Sequence, residues 1–472
     1  MTMKDLAKGA HIHLMGICGT AMASLAGLLQ ARGFRVTGSE MTPYPPMSTQ
    51  IESLGISIAK PYKAENLSPR PDFVIVGNVI SANNPEAQEL VRLGIPFTSL
   101  PKAMGELIIA DREAIVIAGT HGKTTTTSLL SWVATDLGFQ PGFLIGGIAK
   151  NFSKSFENGK PPYFVIEGDE YDTAYFDKVP KFVHYRPRHV ILTSVEFDHA
   201  DIYPDLQAVK RAFVSLMKLI PENGTLVYHA EDLNVQEVVR SAKVKHTLSY
   251  GLNQGDYRAQ IVETGPQGTV FRVQHKGQLV GEFQMALTGE YNVLNATAAI
   301  ALGQRLGWSH EGVAKALKSF AGVKRRQEIL GEPKGVLVIE DFAHHPTAVR
   351  ETLKGISERY RGRRLLAIFE PRSATSRRKI FQKEYAKAFQ TASQTWLMQA
   401  FDQSKIDSQD RFSSEELAVD IQGQGRQAAA YPDVNQIVES VGQVAKSGDV
   451  LVVMSNGGFD GIYDKLLQRL SR

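Results

Sequence analysis

Residues 114–130 read AIVIAGTHGKTTTTSLL. The apolar run Ala114–Ala118 suits a buried parallel strand, glycines at 119 and 122 permit a tight turn, and the stretch from Lys123 onward continues with apolar residues at helical spacing. A strand that turns through glycines into a helix leaves main-chain N–H groups unpaired at the helix N-terminus, and such groups gather an anion. Lys123 adds a full positive charge among phosphates, and Thr124 offers a hydroxyl to magnesium. The full G-x-x-x-x-G-K-[ST] spacing is absent, because Ile117 stands five positions before Gly122. The shorter G-T-H-G-K-T predicts a phosphate-binding turn.

A second glycine turn lies in HLMGICGTAM, residues 13–22. It too follows a strand-like run and opens a helical one. The dinucleotide fingerprint wants glycine at 18 and 21, where Cys18 and Ala21 stand, so a dehydrogenase is disfavoured. Glu40, in VTGSE about 20 positions on, is placed to take a ribose hydroxyl. Two phosphate-bearing ligands are therefore expected, one per turn.

Outward from these turns the chain alternates strand-like and helix-like segments, the pattern of α/β layers on mainly parallel sheets. HIHLMG, FRVTGSE and DFVIVGN read as strands of a first block, and AIVIAG, YFVIEGDE, HVILTSVEFDH and GTLVYHA as strands of a second. Residues 257–287 change to period-two alternation broken by glycine, which predicts an antiparallel meander. A third block begins at Gly322 and carries GVLVIEDFAHHP, RLLAIFEP and DVLVVMSNGG. No fixed-period repeat or low-complexity tract interrupts this order.

Composition agrees with several cores, since 472 residues with 43% hydrophobic content exceed what one domain buries. The net charge of +4, from 53 Lys+Arg against 49 Asp+Glu, is too small for a general nucleic-acid binder. No apolar run is long enough to span a bilayer and no secretory leader is recognisable, so a cytoplasmic protein is expected. The single cysteine, Cys18, rules out an internal disulfide.

Acidic residues follow the strands of the second block. Glu167, at a strand end behind the phosphate turn, suits a magnesium bridge, and His199 is a candidate for a second ion. Of the basic clusters, VKRRQE and FEPRSATSRR lie beside block boundaries or strand ends, whereas RYRGRR reads as a solvated face.

Taken together, these motifs resemble the Mur ligase family, ATP-dependent enzymes that form amide bonds on UDP-N-acetylmuramic acid. The resemblance covers nearly the whole chain in order: GICGTAM, GTHGKTTTT, EGDEYD, EFDHADIY, NVLNATAAIA, GVKRRQE and DFAHHPTAVRETL. It implies three α/β domains: a Rossmann-like UDP-binding domain (1–108), a P-loop-type ATPase domain with the attached meander (109–321), and a Rossmann-like peptide-binding domain (322–472). YPPMST, SVEFDHADIY, FEPRSATSRR and MSNGGFDGIYDKL are most similar to the branch that joins a murein tripeptide, L-Ala-γ-D-Glu-meso-diaminopimelate, to UDP-N-acetylmuramate in cell-wall recycling. The sibling branch that adds L-alanine shares the ATP and AHHPT motifs and is the alternative.

Carried over by position, the resemblance implies that Gly16, Ile17, Cys18, Gly19, Thr20, Ser39 and Glu40 hold the UDP substrate. ATP phosphates would lie on Gly119, Thr120, His121, Gly122, Lys123, Thr124 and Thr125. Asn292 and Asn295 would serve the adenine side with Arg326 and Asp341; Tyr291 replaces the histidine of the family's G-x-H-N-x-x-N pattern. Mg²⁺ is expected on Thr124 and Glu167, with His199 on a second metal. Lys123, Glu167, His199 and Arg326 form the expected catalytic set. His344 is expected at the peptide site, where the carboxylates of the tripeptide suit the arginine forks of Arg372 and Arg377. Lys210 stands where several members carry a carbamylated lysine.

Overall fold

The computed structural model describes residues 3, 6–43 and 47–472. Tyr44, Pro45 and Pro46 of YPPMST lie outside the described residues. Two compact units are present: Met1–Glu196 with Gln207–Tyr257 and Ala298–Ala316, and Phe197–Leu206 with Arg258–Thr297 and Leu317–Arg472. Among the described residues no helix is long and apolar enough to cross a membrane.

The first unit opens with five strands, β1 (His11–Met15), β2 (Arg35–Ser39), β3 (Ile58–Ala59), β4 (Phe73–Val76) and β5 (Phe97–Ser99), in the order β3-β2-β1-β4-β5. All pairings are parallel, and the order is that of a Rossmann sheet without its sixth strand, with its switch point beside β1. β1 and β4 are buried along their whole length because both faces of the sheet are covered.

The same unit continues with β6 (Glu113–Ala118), β7 (Gly142–Ala149), β8 (Lys154–Glu157), β9 (Tyr163–Gly168), a hairpin of β10 (Asp172–Ala174) and β11 (Asp177–Pro180), then β12 (Pro187–Leu192), β13 (Thr225–His229) and β14 (Thr247–Gly251). Its main sheet runs β14-β13-β12-β6-β9-β7-β8, with only β8 antiparallel. Because β6 lies between β12 and β9, the residues that follow these three strands meet at one edge, where α/β sheets bind ligands.

The helix Lys123–Asp136 forms despite four consecutive threonines, which are weak helix formers. Ser128, Ser131 and Thr135 each turn a hydroxyl onto the carbonyl four residues back, at 2.7, 2.7 and 2.8 Å. Burial of Leu129, Leu130, Val133 and Ala134 supplies the rest, at about 1.5–3 kcal/mol for each large apolar side chain.

The two sheets of this unit are joined directly. Ser24 Oγ, on the helix Thr20–Ala31, lies 3.1 Å from Ser155 Oγ on β8. Gly27 on that helix sits so close to the Phe156 ring that a Cβ there would stand 2.2 Å from Cζ. Arg32 donates to the Ile108 carbonyl at 2.8 Å and to Asp111 at 3.0 Å.

In the second unit β15 (Tyr257–Gly265), β16 (Gly268–His275) and β17 (Gln278–Met285) make the meander, with β16 and β17 antiparallel. β18 (Glu328–Gly331), β19 (Leu337–Asp341), β20 (Leu365–Phe369), β21 (Gln394–Met398), β22 (Gln427–Tyr431) and β23 (Val450–Met454) form a sheet ordered β18-β19-β23-β20-β21-β22. All are parallel except β18. Alternate residues feed two cores: Leu337, Ile339 and Val452 pack with Val349 and Leu353, while Val338, Leu451 and Val453 pack with Ile437 and Leu466. RYRGRR proves less solvated than expected: Arg364 pairs with the buried Asp449 at 2.6 Å, and Arg363 donates to the carbonyls of Gly448 and Asp449.

Candidate active site

The phosphate turn takes the conformation its glycines permit. Gly119 has φ +132° and Gly122, the cap of the following helix, φ +81°. A Cβ on Gly119 would stand 2.2 Å from Thr193 Oγ1, so an exposed main chain is obligatory there. The segment after β12 fastens the turn from the side: Thr120 N donates to Ser194 O and His121 N to Ser194 Oγ, both at 3.0 Å, and Glu196 N donates to Thr120 Oγ1 at 2.8 Å.

Lys123 is buried, and its Nζ donates to Gly119 O at 2.6 Å and to Glu170 Oε2 at 3.2 Å. Burial opposes its charge, yet Glu170, Asp169 and Glu167 together hold the ammonium above the ordinary lysine range. Thr124 Oγ1 donates to Glu167 Oε2 at 3.0 Å, and the Gly146 N–H donates to the other oxygen. Burial and the neighbouring Asp169 push the Glu167 carboxyl up to about 7. One ammonium thus faces three carboxylates, an excess of negative charge that a hard cation on the oxygens of Thr124 and Glu167 would relieve. Thr125 is buried behind them.

In the second glycine turn, Gly16 has φ +78° and both Gly16 N and Ile17 N donate to Ser39 O. Cys18 N donates to Glu40 Oε2 at 3.1 Å, and Tyr62 donates its hydroxyl to Glu40 Oε1 at 2.7 Å. Ser39 is fully buried and donates to Glu86, which also takes hydrogen bonds from His13 and Asn66. Burial would raise that carboxyl, and these partners bring it below the usual range instead.

A cleft of about 320 Å³ lies between the second glycine turn and the end of β9 that carries Glu167. Gly16, Gly19 and Thr20 line it on one side, and Gly146, Glu167 and Asp169 on the other, together with Lys181 and Tyr185.

The remaining candidates lie in the second unit and form three groups. In one, Asn292 Nδ2 donates to Thr288 O at 2.8 Å, and Gln327 ties Tyr291, Thr288 and Asp341 together. Asn295 Nδ2 is buried with no hydrogen-bond partner among the described residues. Burial pushes the Asp341 carboxyl up against the pull of Arg326 and the amides of Gln327 and Ala343. The Arg326 guanidinium lies over the Phe342 ring at 4.6 Å.

In a second group, Asp198 stands 3.8 Å from both His199 Nε2 and His344 Nε2 and accepts from Thr375 Oγ1 at 2.5 Å. Burial opposes the Asp198 charge, but these partners hold its carboxyl well below the usual range. His199 has φ +55°, and His345 caps the helix Pro346–Arg359.

In the third, at the ends of β20 and β23, Arg372 donates to Glu370 at 3.1 Å and lies 3.8 Å from the Phe401 ring centre. A Cβ on Gly457 would stand 2.2 Å from Arg372 Cδ, so SNGG clears the path of that side chain. Arg377 donates to Asp402 O at 2.5 Å. Lys210, in the first unit, is paired with Glu237.

Sequence reasoning passed over Glu170, Asp198, Thr375, Tyr62 and Lys181. Glu170, Asp198 and Thr375 stood inside quoted motifs, EGDE, EFDH and FEPRSATSRR, whereas Tyr62 and Lys181 carry no local signal.

Three family models match in chain order: "Mur ligase family, catalytic domain" over residues 11–112, "Mur ligase middle domain" over 117–303, and "Mur ligase, glutamate ligase domain" over 325–457. The chain is 39% identical over 462 residues to the UDP-N-acetylmuramate–L-alanyl-γ-D-glutamyl-meso-2,6-diaminoheptandioate ligase of Escherichia coli (strain K12), covering 98% of each. It is 31% identical over 457 residues to the UDP-N-acetylmuramate–L-alanine ligase of Clostridium kluyveri, covering 96% of this chain and 97% of that one. The crystal structure of a murein peptide ligase from Psychrobacter arcticus 273-4 superposes with a TM-score of 0.72 at 35% identity, covering 98% of this chain and 99% of the other. With all three family domains matched in order and 39% identity to a relative over nearly its whole length, the chain belongs to the Mur ligase family.

Proposed function

We propose that the protein joins the lactyl carboxylate of UDP-N-acetylmuramate to the L-alanyl amine of L-Ala-γ-D-Glu-meso-diaminopimelate, consuming ATP, in cytoplasmic recycling of cell-wall peptides. The observation that carries this reading is a cleft with Gly16 and Gly19 of one glycine turn on one wall and Glu167, which accepts from Thr124 of the other turn, on the opposite wall. The E. coli relative named for the tripeptide supports that acceptor over L-alanine.

A carboxylate does not expel oxide, so activation precedes joining. The lactyl oxygen attacks the γ-phosphorus of ATP, the bond from that phosphorus to the bridging oxygen breaks, and an acyl phosphate and ADP result. The alanyl amine then attacks the acyl carbon, the C–N bond forms, phosphate leaves and the nitrogen loses a proton. The main-chain amides from Gly122 into the first turn of the helix and the Lys123 ammonium hold the phosphate oxygens in line and offset their charge. The oxygens of Thr124 and Glu167 are the donors Mg²⁺ prefers; bound there, it neutralises phosphate charge.

On the same reading, Asn292, Asn295, Arg326 and Asp341 serve the nucleotide, His199 a second metal, and His344, Arg372 and Arg377 the peptide. Residues 1–108, 109–321 and 322–472 then take UDP, ATP and peptide respectively. Phosphate release with UDP-N-acetylmuramate and Mg-ATP, the tripeptide and L-alanine being offered separately, decides. Turnover with the tripeptide is expected; turnover with L-alanine alone assigns the chain to the sibling activity, and none with either refutes the ligase reading.

A further inference from the structure

The carboxylate to be activated must enter a cleft whose wall already carries Glu167 and Asp169. Two like charges brought that close repel, several times more strongly near a protein surface than in water. A cation facing the same space offsets that repulsion. Lys123 does not line this cleft; its ammonium lies against Gly119 O and Glu170, at the phosphate turn.

Among the described residues lining the cleft, one carries an ammonium group, Lys181. Its side chain is 17% exposed, and its Nζ lies 3.5 Å from Asp169 Oδ2 and 4.9 Å from the Tyr171 ring centre. The Asp169 contact is longer than a good hydrogen bond, so the three-donor head keeps capacity for a ligand. The backbone fixes the position: Lys181 N donates to Tyr171 O at 3.1 Å, at the end of the β10–β11 hairpin, which Thr173 Oγ1 braces on Val179 O at 2.8 Å. The fully buried Tyr185 ends the same short helical turn.

We propose that Lys181 binds the carboxylate of the nucleotide-linked sugar acid and holds it beside Glu167 and Asp169. The inference rests on the ligase reading above for the identity of that acid. A charge-assisted hydrogen bond in a partly desolvated site is worth on the order of 10- to 100-fold in affinity.

The test measures binding by calorimetry without ATP, for wild type, Lys181→Met and Lys181→Arg, using UDP-N-acetylmuramate and UDP-N-acetylglucosamine, which lacks the lactyl acid. Lys181→Met is expected to weaken the acid on the order of 10- to 100-fold and the neutral sugar less than about twofold, with Lys181→Arg recovering most of the loss. Equal weakening of both ligands shows a structural role and overturns the proposal, as does no weakening of either. Failure of the wild type to bind the acid overturns this proposal and the ligase reading together. Binding that shows the expected difference, without phosphate release once ATP and tripeptide are added, supports Lys181 and overturns the ligase reading alone.

Discussion

Replacing Lys123 with alanine is expected to damage stability and activity for separable reasons. The Lys123 and Glu170 side chains are only 10% and 2% exposed, so removal of the ammonium leaves a buried carboxylate without this cation. Breaking one side of such a pair typically costs about 3–5 kcal/mol, out of a folding free energy of about 5–15 kcal/mol. With a urea slope near 3 kcal/mol per molar, the denaturation midpoint falls by about 1–2 M. Glu170→Gln removes the uncompensated charge while keeping a similar shape, so the double variant Lys123→Ala/Glu170→Gln recovers most of that midpoint. Activity is not recovered, because the group offsetting charge on the migrating phosphoryl is still missing; the loss is about 10²-fold or more. Urea denaturation and phosphate release on the three variants provide the measurement. If the double variant is no more stable than Lys123→Ala, the buried-pair argument is wrong. If Lys123→Ala, correctly folded, ligates at the wild-type rate, the phosphate role assigned to the turn is wrong.

Gly119→Ala places a Cβ 2.2 Å from Thr193 Oγ1 at φ +132°; we expect about 1–3 kcal/mol of destabilisation and a higher KM for ATP, read by denaturation and steady-state kinetics. Glu167 titrates near 7 in the folded chain, above its ordinary value of 4.5, so the folded state holds a proton that the unfolded chain releases between those limits. Stability in the absence of magnesium therefore falls as pH rises from about 4.5 to 7, by at most about 3 kcal/mol less what solvent screening removes; comparison with Glu167→Gln isolates the effect, and identical pH profiles would exclude it. Gly457→Ala displaces the Arg372 stem, 2.2 Å from the added carbon, and is expected to raise KM for the tripeptide on the order of tenfold with KM for ATP unchanged.

What the sequence revealed and what it hid divide along the range of the forces involved. The strand ending at Ala118, the turn glycines and Lys123 were legible because strand, turn and helix N-terminus are consecutive, and each leaves its own local mark. The meander was legible for the same reason: alternation over 257–287 records one wet and one buried face. Glu170 was hidden because an acid two residues past a strand looks alike whether it is solvated or, as here, buried against Lys123 at 3.2 Å. The pairing of Asp198 with His344 and Thr375 joins positions more than a hundred residues apart, and no spacing rule reports it. RYRGRR misled because a basic run has the same composition whether it faces water or, like Arg364, a buried carboxylate.

The contact between Gly27 and the Phe156 ring has a practical bearing on engineering. Module-swapping that cuts near residue 112 treats the leading sheet as a detachable cassette, yet a single added methyl at 27 would collide with an aromatic edge 2.2 Å away. Exchangeable parts in this protein must therefore carry both partners of that seam together, and a hybrid that splits them inherits a pried-open groove rather than a new specificity.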